Sequence, residues 1–119
     1  MKNEIFLVKK LDCHACDVAV RIINSVIDKY KLDIKLKTIY NFELSEDDAE
    51  KYDERHKYPA IHFIKDNEII FSEYGTLPRS TIIADIDIAF DITLNDLNSV
   101  KERDESFFVD VNDEVDSVD

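Results

Sequence analysis

The sequence predicts an α/β fold with the element order β-α-β-α-β-β-α. Three observations carry that prediction. A short apolar run, Ile5-Phe6-Leu7-Val8, precedes a helical stripe that begins near Ala19. A stretch over 31–40 alternates as a strand does, and a strand–turn–strand pattern over 60–74 ends at Gly75, the only glycine.

Taken in order, Ile5 to Val8 is a continuous apolar run of the kind buried in a sheet. Ala19, Ile22, Ile23, Val26, Ile27 and Tyr30 then recur at three- and four-residue spacing, one face of a helix over about 14–30. Over 31–40, Leu32, Ile34, Leu36 and Thr38 fall on one side and Lys35 and Lys37 on the other, which is strand period. Ser45-Glu46-Asp47-Asp48 reads as an N-cap followed by acids in a first turn, where the helix dipole favours them. The short helix over about 46–55 then turns Ala49 and Tyr52 inward.

Ala60 to Ile64 and Glu68 to Tyr74 form two strands of a hairpin, with Asp66-Asn67 as the turn. After Gly75, Pro78-Arg79-Ser80 leads into a segment of double character. Ile82, Ile83, Ile86, Ala89 and Phe90 fit a helix, while Ile86, Ile88, Phe90, Ile92 and Leu94 alternate. The Pro/Ser start and the length favour a helix over about 79–92.

The 119 residues suffice for one domain with one core. No apolar run is long enough to span a bilayer. The start, Met1-Lys2-Asn3-Glu4, lacks the pattern of a secretory signal, so a cytoplasmic setting is expected. The net charge of −12 opposes nucleic acid and favours basic partners. Residues 101–119 carry eight acidic and two basic side chains, half of the whole excess. The expected division is therefore a folded domain over 1–98 and an acidic tail over 99–119, interrupted by Phe107-Phe108-Val109 and Val111.

Cys13-His14-Ala15-Cys16 contains both cysteines, at the start of the first helical stripe and just after the first strand. Where thiols are kept reduced, a lone C-x-x-C points to catalysis or metal binding rather than to a structural staple. About forty residues later, Tyr58-Pro59-Ala60 opens the third strand. A thiolate, not a thiol, attacks a disulfide. Cys13 lies where backbone N–H groups and the positive end of the helix dipole favour a thiolate. Cys16, one turn on, is the expected resolving thiol. A protonated His14 would favour the thiolate further, and the Asp12 carboxylate would oppose it.

This order, with C-x-x-C after the first strand and a proline opening the third, resembles the thioredoxin fold in its small, glutaredoxin-sized form. Ala49-Glu50-Lys51-Tyr52, Tyr58-Pro59-Ala60-Ile61-His62-Phe63-Ile64-Lys65-Asp66-Asn67-Glu68 and Tyr74-Gly75-Thr76-Leu77 look like the matching thioredoxin stretch. The likeness covers about 5–92. It departs at Asp12, where thioredoxins carry tryptophan, and at His14-Ala15 between the cysteines. Ile5-Phe6-Leu7-Val8 lacks the buried carboxylate of that family. Lys57-Tyr58-Pro59 and the single Gly75 differ from the glutathione-holding sequences of glutaredoxins.

The resemblance implies a mixed central sheet with flanking helices and a redox-active Cys13–Cys16 disulfide. It implies a cis Pro59 against the cysteines, and a substrate platform at Tyr58 with Asp12 and Gly75 beside it. It also implies a protein-disulfide oxidoreductase working in electron transport. The expected partners are protein disulfides and an external reductase or thiol reductant. A monomer without cofactor, metal, nucleic acid or membrane is expected.

Two other readings stay open. Cys13 and Cys16 make half a zinc site that His14, His56 or His62 could complete, or a dimer could share a cluster between its sulfurs. Alternatively, the domain is a partner-binding module or inhibitor whose acidic tail engages a basic surface.

Overall fold

A computed structural model of the chain describes residues 2–92. The expected acidic tail over 99–119, and the end of the domain expected at 98, lie outside the described residues. The elements run β1 (Asn3–Lys9), α1 (His14–Lys29), β2 (Lys35–Tyr40), a 3₁₀ turn (Asn41–Glu43), α2 (Glu46–Tyr52), β3 (Ala60–Lys65), β4 (Glu68–Tyr74) and α3 (Arg79–Phe90).

The sheet order is β2-β1-β3-β4. β1 and β2 are parallel, with Ile5 opposite Leu36 and Leu7 opposite Thr38. Such a pair needs a crossover, which α1 supplies. β1 and β3 are antiparallel, with Leu7 opposite Ile61 and Val8 opposite Ala60. β3 and β4 form the hairpin. Its turn residues Asp66 and Asn67 have φ of 51° and 73°. Both are left-handed, as the two-residue turn that matches strand twist requires. Between Phe63 and Ile64 the register slips by one, and Ile70 becomes the extra, exposed residue.

Strand alternation gives each sheet face its own cover. Ile5, Leu7, Ile61 and Phe63 point to one face, where they pack with Ala19, Ile23 and Val26 of α1 and Ile82, Ile83, Ile86, Ala89 and Phe90 of α3. Arg79 at the start of α3 donates to Ser25 Oγ of α1 at 2.7 Å and ties the two helices together. On the opposite face the rings of Phe6, Tyr52, His62 and Tyr74 follow one another at centroid spacings of 4.6, 5.3 and 6.2 Å, with Tyr52 supplied by α2.

Three boundaries differ from the sequence reading. β2 begins at Lys35 rather than near 31, because α1 ends through Lys31 at φ 54°. Leu32 N–H then donates back to the Ile27 carbonyl, so Leu32 belongs to the helix exit. α2 stops at Tyr52 rather than 55. Asp53 leaves the helix at φ −131°, and His56 is left-handed at φ 53°. α3 is a helix, as its Pro/Ser start implied, and Ile88, the residue that made the strand pattern, is 70% exposed. The helix stops at Phe90 on a left-handed Asp91.

Candidate active site

β1 delivers the chain to the C-x-x-C through Lys10, Leu11 and Asp12. Asp12 turns it with φ 55°, and Cys13 follows as the N-cap of α1. Ser, Thr, Asp and Asn are the usual N-caps because their side chains accept a free first-turn N–H. Here the sulfur does this: Cys16 N–H donates to Cys13 Sγ at 3.1 Å. Cys13 and Cys16 are joined as a disulfide, with Cα atoms 5.2 Å apart. Cys13 is half-buried, whereas Cys16 is 0% exposed. Asp12 and His14 flank Cys13 and are both exposed.

The second part of the site comes from the turn before β3. The Tyr58–Pro59 peptide bond is cis and Pro59 is fully buried. Val8 pairs with Ala60, so Pro59 lies at the sheet end from which the chain enters the C-x-x-C. The Lys10 ammonium, in that entry, is 6.0 Å from the centre of the Tyr58 ring. Gly75 N–H donates to the Pro59 carbonyl at 2.9 Å. Gly75 has φ +86°, which favours glycine even though no atom of the described residues lies within 4 Å of where a Cβ would stand.

Sequence reasoning placed Tyr58 before the proline but missed what holds it. Its hydroxyl donates to Asp53 Oδ2 at 2.9 Å, and Asn41 Nδ2–H donates to the same hydroxyl oxygen at 3.3 Å. Burial, then the bond to Asp53, raise the phenol above its ordinary range. Asn41 belongs to the 3₁₀ turn that closes β2, where Tyr40 and Phe42 stack at 5.3 Å and Phe42 is 66% exposed. Lys9 lies 4.7 Å from the Tyr40 ring. A signal for this turn was available: Tyr40-Asn41-Phe42 follows the end of a strand parallel to β1, and ligands of α/β sheets gather beyond such strand ends.

The histidines of the metal reading are dispersed. His62 is buried on β3; Nε2–H donates to the Tyr52 carbonyl and Nδ1 accepts from the Ser72 hydroxyl, both at 2.7 Å. The carbonyl can only accept, which fixes that tautomer. Burial lowers the imidazole's affinity for a second proton, against the smaller opposing pull of the Tyr52 carbonyl. His56 lies beside Asp53, its Nδ1 3.7 Å from Oδ2. Among the described residues, no three His, Cys, Asp or Glu are grouped to hold a metal ion.

A four-stranded mixed sheet, α1 and α3 on one face and α2 on the other, with a cysteine pair at the start of α1, is a known arrangement. The fold is thioredoxin-like. Among the solved structures that resemble the chain in this way are two at 17% identity. One, described as a malarial protein, has a TM-score of 0.62 and matches over 75% of this chain and 98% of its own. The other is thioredoxin-2, described as a component of the malaria parasite protein secretion machinery, with a TM-score of 0.61 over 72% of this chain and 82% of its own. No family model and no curated protein matches the sequence. Within the thioredoxin-like domain, no helix of the described residues is long and apolar enough to cross a membrane.

Proposed function

We propose that the chain is a thiol–disulfide oxidoreductase that exchanges the Cys13–Cys16 pair with disulfides of polypeptides. The observation that supports this most is the asymmetry of the pair. The outer sulfur caps a helix and accepts the Cys16 N–H, while the inner one is shut from solvent. With the pair reduced, that N–H and the helix dipole stabilise a thiolate at Cys13. The buried Cys16 stays a thiol.

The Cys13 thiolate attacks one sulfur of a substrate disulfide. The Cys13–substrate bond forms, the substrate bond breaks, and the other substrate sulfur leaves as a thiolate that takes a proton. Cys16 then gives up its proton and attacks Cys13 Sγ. The Cys13–Cys16 bond forms, the mixed disulfide breaks, and the second substrate sulfur leaves and is protonated. Two electrons have passed to the substrate, carried wholly by sulfur, so the domain itself needs no organic cofactor. An external reductase or thiol returns them.

Pro59 and Tyr58 form the platform on which the substrate chain lies, with Asp12 at its rim and Gly75 supporting Pro59 from just after β4. A residue just before such a proline offers its backbone to an extended peptide as an added strand would. His14, at the first position of α1, modulates the thiolate. The cytoplasm, where reductants are abundant, is the compartment that suits this role.

Insulin reduction, driven by dithiothreitol or a reductase system, tests the reading. The native chain accelerates it. Cys13→Ser reduces the rate to the uncatalysed background, and Cys16→Ser accumulates a mixed disulfide visible on a non-reducing gel. A chain inactive with both reductants, whose partner complex survives Cys13→Ser, would instead be a binding module.

A further inference from the structure

Four large apolar side chains of the described residues are exposed: Leu11, Phe42, Ile70 and Ile88. Ile70 follows Glu68 on β4, and Ile88 lies beside Asp87 and three residues before Asp91. Leu11 and Phe42 differ. Each stands two residues beyond the last pair of the parallel strands, Lys9 opposite Tyr40, at the sheet end that leads into Cys13. Phe42 stacks on Tyr40 at an interplanar angle of 13°, and Asn41 between them bonds the Tyr58 hydroxyl. The patch is thus continuous with the Tyr58-Pro59 loop.

The charge of this end is also distinct. Lys9, Lys10, Arg55 and Lys57 stand against Asp12, Glu43, Asp53 and Glu54, so it is balanced. The other residues of 2–92 hold nine basic and fourteen acidic side chains. Two of the four acids are already engaged: Glu43 Oε1 accepts the Tyr40 N–H, and Asp53 Oδ2 accepts the Tyr58 hydroxyl. Among the described residues Lys9 and Lys10 have no carboxylate partner; they lie over the Tyr40 and Tyr58 rings. An exposed aromatic pair beside unpaired ammonium groups fits an occupant that is both aromatic and acidic.

This chain contains such a segment. Asp104-Glu105-Ser106-Phe107-Phe108-Val109-Asp110 sets two rings between carboxylates. The acids beside Ile70 and Ile88 repel it from those side chains. α3 starts four residues after Gly75 and its twelve residues lead about 18 Å away from the cysteine end. The fourteen residues 93–106 reach up to about 46 Å, enough for the return. A tethered segment has a high effective concentration, so a modest contact suffices to hold it.

We infer that the segment around Phe107-Phe108-Val109 docks on the Tyr40–Phe42 patch beside Lys9 and Lys10 of its own chain. There it covers the approach to the Tyr58-Pro59 platform, a control of access that rests on the oxidoreductase function proposed above.

The test uses the full-length chain with the cysteine pair oxidised. Phe107→Ser/Phe108→Ser moves the backbone amide NMR signals of Lys9 to Leu11 and of Asn41 to Glu43, and leaves those of Ile70 and Ile88 in place. Raising salt from about 0.05 M to about 0.5 M moves the parent's signals the same way. In insulin reduction with dithiothreitol the variant's KM is about tenfold lower, as for a platform that the docked segment leaves open about a tenth of the time. Hydroxyethyl disulfide, too small to need the platform, is reduced equally by both chains. Unmoved signals at the two turns, or signals that move while the insulin KM does not, overturn the proposal and leave the redox reading intact. Differences that grow with protein concentration overturn it in favour of docking on a second copy. If neither chain reduces insulin or hydroxyethyl disulfide, the redox reading falls and control of access falls with it, and the NMR comparison separates that failure from a failure to dock.

Discussion

The Tyr58 hydroxyl stands between a donor, Asn41 Nδ2–H, and an acceptor, Asp53 Oδ2. Through it the end of β2, the end of α2 and the cis-proline turn are held together by one atom. Asp53 depends on the same bond, because its other oxygen has no hydrogen-bond partner among the described residues and His56 is 3.7 Å from Oδ2. Tyr58→Phe keeps the ring but leaves a buried carboxylate with no hydroxyl donor. It should lower unfolding free energy by about 1–3 kcal/mol, measured by urea titration. Asp53→Asn combined with Tyr58→Phe should recover part of that loss, since an uncharged amide is cheaper to bury than a bare carboxylate.

At the scale of the element, α3 carries an acid on its buried side. Asp85 is 7% exposed and its Oδ2 has no hydrogen-bond partner among the described residues. Burial, then the hydrogen bond and charge of Glu73 on β4, push its carboxyl up to about 7. An unfolded aspartate titrates near 4. Between those values the folded chain holds a proton that the unfolded chain has released. Asp85 therefore removes stability as pH rises from about 4 to about 7, and its cost is constant above that. Asp85→Asn has no such proton to lose. The stability gap between Asp85→Asn and the parent should widen in favour of the variant from pH 5 to pH 7 and level off by pH 8, read from urea midpoints. Comparing the two chains at each pH cancels the titration of His62, which both share.

At the scale of the molecule, the apolar core lies on one face of the sheet, where β1 and β3 meet α1 and α3. Ile86 is 0% exposed in that layer. Ile86→Ala should cost about 2–5 kcal/mol, because neighbours from two helices and the sheet cannot all collapse into the space. The opposite face is thinner, closed by rings and by His62 with both nitrogens bonded. This unequal layering was partly legible. The stripe from Ala19 to Val26 has helical period, and the turn at Asp66-Asn67 has side chains that tolerate a left-handed backbone, so α1 and the hairpin could be read directly. The limits of β2 and α2 could not. Leu32 closes the exit of α1 and Ile34 is buried in the core ahead of β2, and Asp53 ends α2 to meet a hydroxyl five residues on. Neither reason is a periodicity.

What the sequence determined alone was the order of elements and the cysteine pair at the start of α1. Both follow from local rules: the period of apolar residues, the residues that cap and turn, and a spacing of three that brings two sulfurs across one helical turn. The tertiary structure decided which chains of residues meet. It set Tyr58 against Asp53 and Asn41, placed His56 beside Asp53, and shut Asp85 beside Glu73. Those pairings depend on strand register and helix docking across the sheet, and such distances between remote residues leave no mark on the spacing of either one.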